Sequence, residues 1–141
     1  LRYERLCLSA ARTGAAAAAL ADSVEYAKER EQFGRPISKF QAVSHRLADM
    51  QTMVEISQML VYRYASRLDR GLATTRDAAI LKLYACEAYK QVADMGLQVL
   101  GGYGYTMEYD LQRHFRESRL GVIGAGTSEI QRNIIAKTMG L

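Results

Sequence analysis

Apolar and small residues recur at alternating spacings of four and three through Tyr3, Cys7, Ala10, Gly14, Ala17, Ala21 and Val24. Residues 2 to about 29 are therefore predicted to form one long amphipathic helix. The small side chains of this seam would let a neighbouring helix approach closely, and its alanines favour helix formation. The helix should end in the charged run Lys28-Glu-Arg-Glu31, because the following Gln32-Phe-Gly-Arg-Pro36 carries glycine and proline. A second start is read at Ser38, with Gln41 at capping-box spacing. Val43, Leu47, Met50, Val54, Ser57, Val61, Tyr64 and Leu68 then hold one seam, which Met53, Ile56 and Leu60 broaden, so this helix is predicted to be buried on two sides.

The second helix should stop at Asp69-Arg-Gly71, and Thr74 with Asp77 opens a third. Its seam runs through Leu81, Tyr84, Ala88, Val92, Met95 and Val99 until Gly101-Gly-Tyr-Gly-Tyr105 breaks it. A short helix over residues 110 to 118 and a last one from Thr127 complete the set. No stretch alternates with period two for long enough to make a strand. Short connections make sequential helices antiparallel neighbours. The expected fold is all-α, a single domain over residues 1–141: an up-and-down bundle of three long helices plus two shorter C-terminal helices.

Composition narrows the function classes. With 141 residues and 49% hydrophobic content the chain can bury a proper core, and its single proline, Pro36, and lack of low-complexity tracts argue against disorder. Nineteen basic and fifteen acidic residues leave a net charge of +4, but the basic side chains are interspersed with acidic ones and form no nucleic-acid stripe. Cys7 and Cys86 lack metal-ligand spacing and read as reduced core thiols. No apolar run approaches the ~20 residues needed to span a bilayer, and no signal-peptide pattern is present. The expectation is a soluble, intracellular protein with no nucleic-acid or membrane partner. Because Leu1 already lies in a helical pattern, a piece of a longer protein is expected.

The stretch Ile123-Gly-Ala-Gly-Thr-Ser-Glu-Ile-Gln131 joins a small-residue turn to a helix start. Thr127 or Ser128 can cap it, Ser128 and Gln131 have capping-box spacing, and Glu129 suits the positive end of the helix dipole. Such a start also lets an anionic ligand approach backbone N–H groups. Both readings, a plain cap and a ligand site, stand on these residues alone. Gly101-Gly-Tyr-Gly104 is no dinucleotide fingerprint, since it follows a helix rather than a strand. His45 and His114 have no partner at triad or metal spacing, and no metal site is expected.

Four segments in order, Arg30-Glu-Gln-Phe-Gly-Arg-Pro36, Phe40-Gln41, Gln98-Val-Leu-Gly-Gly-Tyr-Gly104 and Gly124-Ala-Gly-Thr-Ser-Glu-Ile-Gln131, resemble the C-terminal helical domain of the acyl-CoA dehydrogenases. The resemblance covers essentially the whole chain. It implies an oxidoreductase of fatty acid or branched-chain amino acid catabolism. The family uses tightly bound FAD to oxidise an acyl-CoA thioester to the 2,3-enoyl-CoA and passes electrons to an electron-transferring flavoprotein. It also implies that an N-terminal helical domain and a middle β-domain are missing here, that the fragment is inactive alone, and that the parent is a homo-oligomer, dimer or tetramer. The location implied is bacterial cytoplasm or mitochondrial matrix.

Carried onto this chain, the resemblance implies FAD contacts from Arg30, Gln32, Phe33, Gln41, Gln98, Val99, Leu100, Gly101, Gly102, Thr127, Ser128 and Glu129. The turn holding Arg30 and Phe33, like residues 98–102, reaches a neighbouring subunit's FAD in the family. The plain alternatives are a helix-terminal ion pair for Arg30 and an interhelical turn at Gly101 and Gly102. Gln41 is in conflict, because a side chain closing a capping box is not free for a cofactor. Many family members carry a glutamate before the Gly-Thr pair, where this chain has Ala125, and that carboxylate removes the α-proton. Isovaleryl-CoA and long-chain dehydrogenases place the base instead in a Glu-Arg-Leu segment on the first long helix, here Tyr3-Glu-Arg-Leu6. The base expected is thus Glu4, at the edge of the buried face beside Tyr3. Arg5 would orient that carboxylate or the substrate, or else form a surface ion pair. The N–H of Ala125, next to Gly126, would donate to the thioester oxygen. The rival readings are a flavin oxidase or monooxygenase of the same superfamily and a non-catalytic helical oligomerisation domain.

Overall fold

The computed structural model describes residues 2–141; Leu1 lies outside the described residues. Three long helices pack side by side: α1 (Arg2–Glu29), α2 (Gln41–Asp69) and α3 (Thr75–Leu100). A one-turn helix α4 (Gly102–Tyr105), then α5 (Leu111–Ile123) and α6 (Ser128–Thr138), follow. The middle of the arrangement is α3, which packs against α1, α2, α5 and α6. No helix among the described residues is long and apolar enough to cross a membrane.

The boundaries of α1 follow the sequence reading, but its buried face does not. Tyr3 is 71% exposed, and Cys7, Ala10, Gly14 and Ala21 also face outward. The buried face carries Arg5, Ser9, Thr13, Ala16, Ala19, Leu20, Ser23 and Ala27. Serine and threonine are tolerated there because each hydroxyl bonds a carbonyl four residues back: Ser9 to Arg5 at 2.7 Å, Thr13 to Ser9 at 2.8 Å, Ser23 to Ala19 at 2.7 Å. What α3 selects is small volume, not hydrophobicity. Cys7 is accordingly an exposed thiol, whereas Cys86 is a buried one as expected.

At Gly96, α3 lies close against both α1 and α5. A Cβ added there would meet Ser23 Oγ of α1 at 2.7 Å and Leu111 Cδ1 of α5 at 2.8 Å. Gly96→Ala would gain ~1 kcal/mol of helix propensity and lose about 1–3 kcal/mol to overpacking. The expected outcome is a net destabilisation of about 1 kcal/mol, read as a lower urea midpoint at unchanged slope; an unchanged or higher midpoint would mean that the helices separate freely.

In α2 the expected seam is present, with Met50, Val54, Ser57 and Tyr64 buried. Burial on two sides is not: Ile56, Met59 and Tyr62 are exposed, because α1 and α3 cover one face only. The capping box at Ser38 and Gln41 is also absent. Residues Ile37–Lys39 form a tight 3₁₀ turn, and Phe40 is the N-cap without a side-chain hydrogen bond. At α3 the box forms as read, Thr74 accepting from the Asp77 N–H at 3.1 Å while the Asp77 carboxylate accepts from the Thr74 N–H at 2.9 Å. Between α1 and α2 the chain makes a two-residue-per-strand hairpin, β1 (Glu31–Gln32) and β2 (Arg35–Pro36), too short for any period to announce. Its turn residues Phe33 and Gly34 have φ of 54° and 78°. Two successive left-handed residues match the right-handed twist of a hairpin. Helix α5 runs to Ile123, beyond the expected residue 118, because Gly121 and Val122 are buried against the bundle.

Two buried titratable groups give the fold an acid dependence. His114 of α5 lies 2.8 Å from the Tyr89 hydroxyl, and burial, then the Arg113 charge, lowers its pKa from 6.5. Burial pushes the Asp77 carboxyl up, but the Thr74 N–H and hydroxyl and the Arg67 guanidinium at 3.1 Å outweigh it, so its pKa falls below 3.8. The unfolded chain takes up a proton at His114 that the folded chain refuses. Stability is therefore expected to be full above pH ~6.5 and to fall as the pH drops below it. The Asp77 contribution is present above pH ~3.8 and is lost below that. Unfolding curves over pH 3 to 8 should show both declines, and His114→Gln should remove the first alone.

Candidate functional site

The residues singled out from the sequence gather at two ends of α3. At its C-terminal end, Arg30, Gln32, Val99, Leu100, Gly101 and Gly102 line a cleft of about 470 Å³ together with Tyr26, Ile37, Tyr103 and Thr106. Arg30 stacks over the Tyr103 ring at 5.5 Å, and no carboxylate among the described residues pairs with it. The helix-terminal ion pair is therefore not formed, and the guanidinium is free for an anion. Gly101 has φ of 60°, and a Cβ added at Gly101 or Gly102 would meet nothing within 4 Å. Bare backbone beside an unpaired arginine suits a phosphate-bearing ligand. Gln98 is exposed on the last turn of α3, outside the cleft lining. Phe33 stands 91% exposed at the hairpin tip, with its ring edge-on to Phe40 at 6.1 Å. Gln41 is exposed at the start of α2 with no cap to close, so the conflict over its side chain disappears.

Sixteen residues of α3 separate Gln98 from Lys82, roughly 24 Å of helix axis, and the second cluster forms around Lys82. Here the loop between α5 and α6 turns through Ala125 and Gly126, with φ of 55° and 89°. Lys82, fully buried, donates from Nζ to the Gly126 carbonyl at 2.7 Å. Gln131 of α6, also fully buried, donates from Nε2 to the same carbonyl at 3.0 Å and to that of Ala125 at 3.4 Å. The Ser128 and Gln131 capping box is thus not made. Thr127 is the cap, accepting from the Ile130 N–H at 3.3 Å, and Ser128 is buried and donates to Glu87 at 2.7 Å. The Glu129 carboxyl is held below its ordinary pKa by its own backbone N–H and then by the Thr127 hydroxyl. Glu129 lies in the first turn of α6, at the positive end of the helix dipole.

Arg5 from the first turn of α1 reaches the same cluster. It is buried, so the surface ion pair read as its alternative does not exist. Its charge is felt at Lys82, whose pKa is lowered by burial first and by Arg5 as well, against the opposing pull of Cys86, Glu87 and Glu129. Arg5 Nε and Gln131 Oε1 are buried without a hydrogen-bond partner among the described residues. Glu4 and Tyr3, by contrast, are exposed rather than at a buried edge, because the face of α1 turned to α3 runs through Arg5 and Ser9. Lys82 and Glu87 escaped the sequence reading, and Gln131 was read only as a capping-box partner of Ser128 and the end of a family segment. The one available signal was a lysine inside the apolar run Ala78-Ala-Ile-Leu-Lys-Leu83.

Residues 1–140 match the family model described as acyl-CoA dehydrogenase, C-terminal domain. The chain belongs to the acyl-CoA dehydrogenase family. It is 45% identical over 139 residues to the mitochondrial isovaleryl-CoA dehydrogenase of Oryza sativa subsp. japonica, a match covering 99% of this chain and 34% of that protein. The solved structure of butyryl-CoA dehydrogenase from Megasphaera elsdenii superposes with a TM-score of 0.94 at 41% identity, over 97% of this chain and 36% of that one. An FAD complex of PigA superposes with a TM-score of 0.94 at 38% identity, over 98% of this chain and 36% of that one. This acyl-CoA dehydrogenase domain spans about a third of the length of the relatives it matches.

Proposed function

We propose that the chain is the C-terminal part of an FAD-dependent acyl-CoA dehydrogenase that converts an acyl-CoA thioester to its 2,3-enoyl-CoA. The observation that carries this reading is the loop at residues 124–127. The N–H groups of Ala125 and Thr127 have no hydrogen-bond acceptor among the described residues, whereas the Gly126 N–H closes the turn that contains Gly124 and Ala125. Donors left free beside a helix start and held in a left-handed turn suit an oxygen that gains negative charge during reaction. Glu4 takes the α-proton as its C–H bond breaks, and the Ala125 N–H, beside Gly126, donates to the thioester oxygen as charge builds there. Bound FAD supplies the acceptor for the hydride leaving the β-carbon.

The cofactor would be held by Arg30, Gln32, Phe33, Gln41 and residues 98–102 at one end of α3, and by Thr127 and Glu129 at the other; the Ser128 side chain expected to join them is buried and committed to Glu87. Arg30 and the open backbone at Gly101 and Gly102 have the chemistry that a pyrophosphate needs. The separation of these groups along α3 supports a homo-oligomer in which one copy completes the FAD site of another. The proposed acceptor of the electrons is an electron-transferring flavoprotein.

The test is anaerobic mixing of the oxidised full-length parent with a panel of acyl-CoAs, followed as loss of flavin absorbance. Bleaching by a subset of the panel is expected and names the acyl class. No bleaching by any acyl-CoA would favour a non-catalytic helical domain, and rapid turnover with oxygen alone would favour a flavin oxidase.

A further inference from the structure

We propose that Lys82 and Gln131 are positioning residues that hold the 124–127 loop in its donor-outward conformation, an inference that rests on the reading of that loop as the thioester contact. A trans peptide sets its carbonyl and its N–H on opposite sides. Gln131 holds the Ala125 carbonyl at 3.4 Å, which fixes the peptide after Ala125 and with it the left-handed backbone from which Ala125 presents its own N–H. Lys82 at 2.7 Å and Gln131 at 3.0 Å draw the Gly126 carbonyl inward, which sends the Thr127 N–H outward. The two clamping side chains come from different helices, α3 and α6, and both are fully buried. The loop is thereby fixed to the core of the bundle and not merely to its own flanking helices.

The loop requires such a restraint. Ala125 holds φ of 55°, a region that costs a non-glycine residue about 1 kcal/mol and that an unrestrained loop would leave. Gly126, at φ of 89°, is packed so closely that an added Cβ would lie 2.7 Å from Gln131 Nε2, so the clamp and the turn share one shape. An N–H that must meet a developing oxyanion gains most when its direction is set before reaction. A buried ammonium on the carbonyl end of the Gly126 peptide also strengthens the donor at its other end, because hydrogen bonds in series polarise one another.

The experiment uses the full-length parent with Lys82→Met and Gln131→Met, substitutions that preserve side-chain length and leave no new buried charge. The probe is an acyl-CoA carrying sulfur in place of carbon 3. It can lose its α-proton but has no hydrogen at that position to give up as hydride. Each variant should bind the probe within about twofold of the natural protein, yet the deprotonated fraction at a given pH should fall about tenfold. In parallel, hydrogen exchange at the backbone amides of Ile130 and Gln131, which donate to the Thr127 hydroxyl and carbonyl, should speed up at least about tenfold as the loop is released.

Unchanged proton loss and unchanged exchange in both variants would overturn the proposal. Faster exchange with unchanged proton loss would overturn the positioning role while confirming the restraint. Failure of both variants to fold or to hold flavin would make the pair purely structural, and that too overturns it. If the natural parent neither bleaches nor deprotonates the probe, the proposed activity falls instead, and the exchange measurement still decides whether the clamp exists.

Discussion

Glu4→Gln in the full-length parent is expected to slow anaerobic flavin reduction by about 10²–10⁴-fold while acyl-CoA binding stays near normal. The α-hydrogen of a thioester is weakly acidic, and glutamine keeps the shape of glutamate without its basicity. Ala125 stands where many family members carry the base, so no carboxylate is available from the loop. Glu4 is exposed in this chain, which means that the dry surroundings a strong carboxylate base needs must come from outside these 141 residues. Arg5, buried one residue on, lies near enough to Lys82 for its charge to be felt there, so Glu4 stands at the same end of the bundle as the 124–127 loop. Stopped-flow absorbance measures the effect directly. A variant that bleaches as fast as the natural protein would place the base elsewhere and leave the fold untouched.

Arg30→Met is expected to weaken flavin retention. A guanidinium paired with a phosphate contributes about 1.5–3 kcal/mol, so its removal should raise the flavin dissociation constant about 10- to 150-fold. The structure strengthens this expectation over the sequence alone, because Arg30 has no carboxylate partner and rests on the Tyr103 face at 5.5 Å. Reconstitution of apoprotein, followed by flavin fluorescence, gives the constant. If the affinity is unchanged and only the melting temperature falls, Arg30 serves the hairpin and the stacking contact, and the cleft beside it is not a cofactor site.

The chain is legible where a signal is local. The three long helices, their ends at Glu29, Asp69 and Leu100, and the Thr74 and Asp77 capping box were all readable, since periodicity, glycine and short polar caps act within a few residues. So was the presence of a turn and a helix start around residues 124–127. The family resemblance carried by four short segments was also readable, because those segments are contiguous in sequence.

Tertiary structure decided everything that depends on which neighbour a face meets. On α1 two faces are rich in small residues, and packing against α3 selects the one bearing Ser9, Thr13 and Ser23 over the one bearing Cys7 and Ala10. The Ser38 and Gln41 box failed because a 3₁₀ turn occupies residues 37–39, and the Ser128 and Gln131 box failed because both side chains found partners beyond the first turn of α6. Lys82 sits 44 residues from the carbonyl it holds, a separation that no motif spans. By itself the sequence determined where the three long helices end and which family they belong to, through interactions between near neighbours. Packing determined which side chains are buried and which donors of the 124–127 loop are left free, because burial is a property of pairs of elements and not of either one alone.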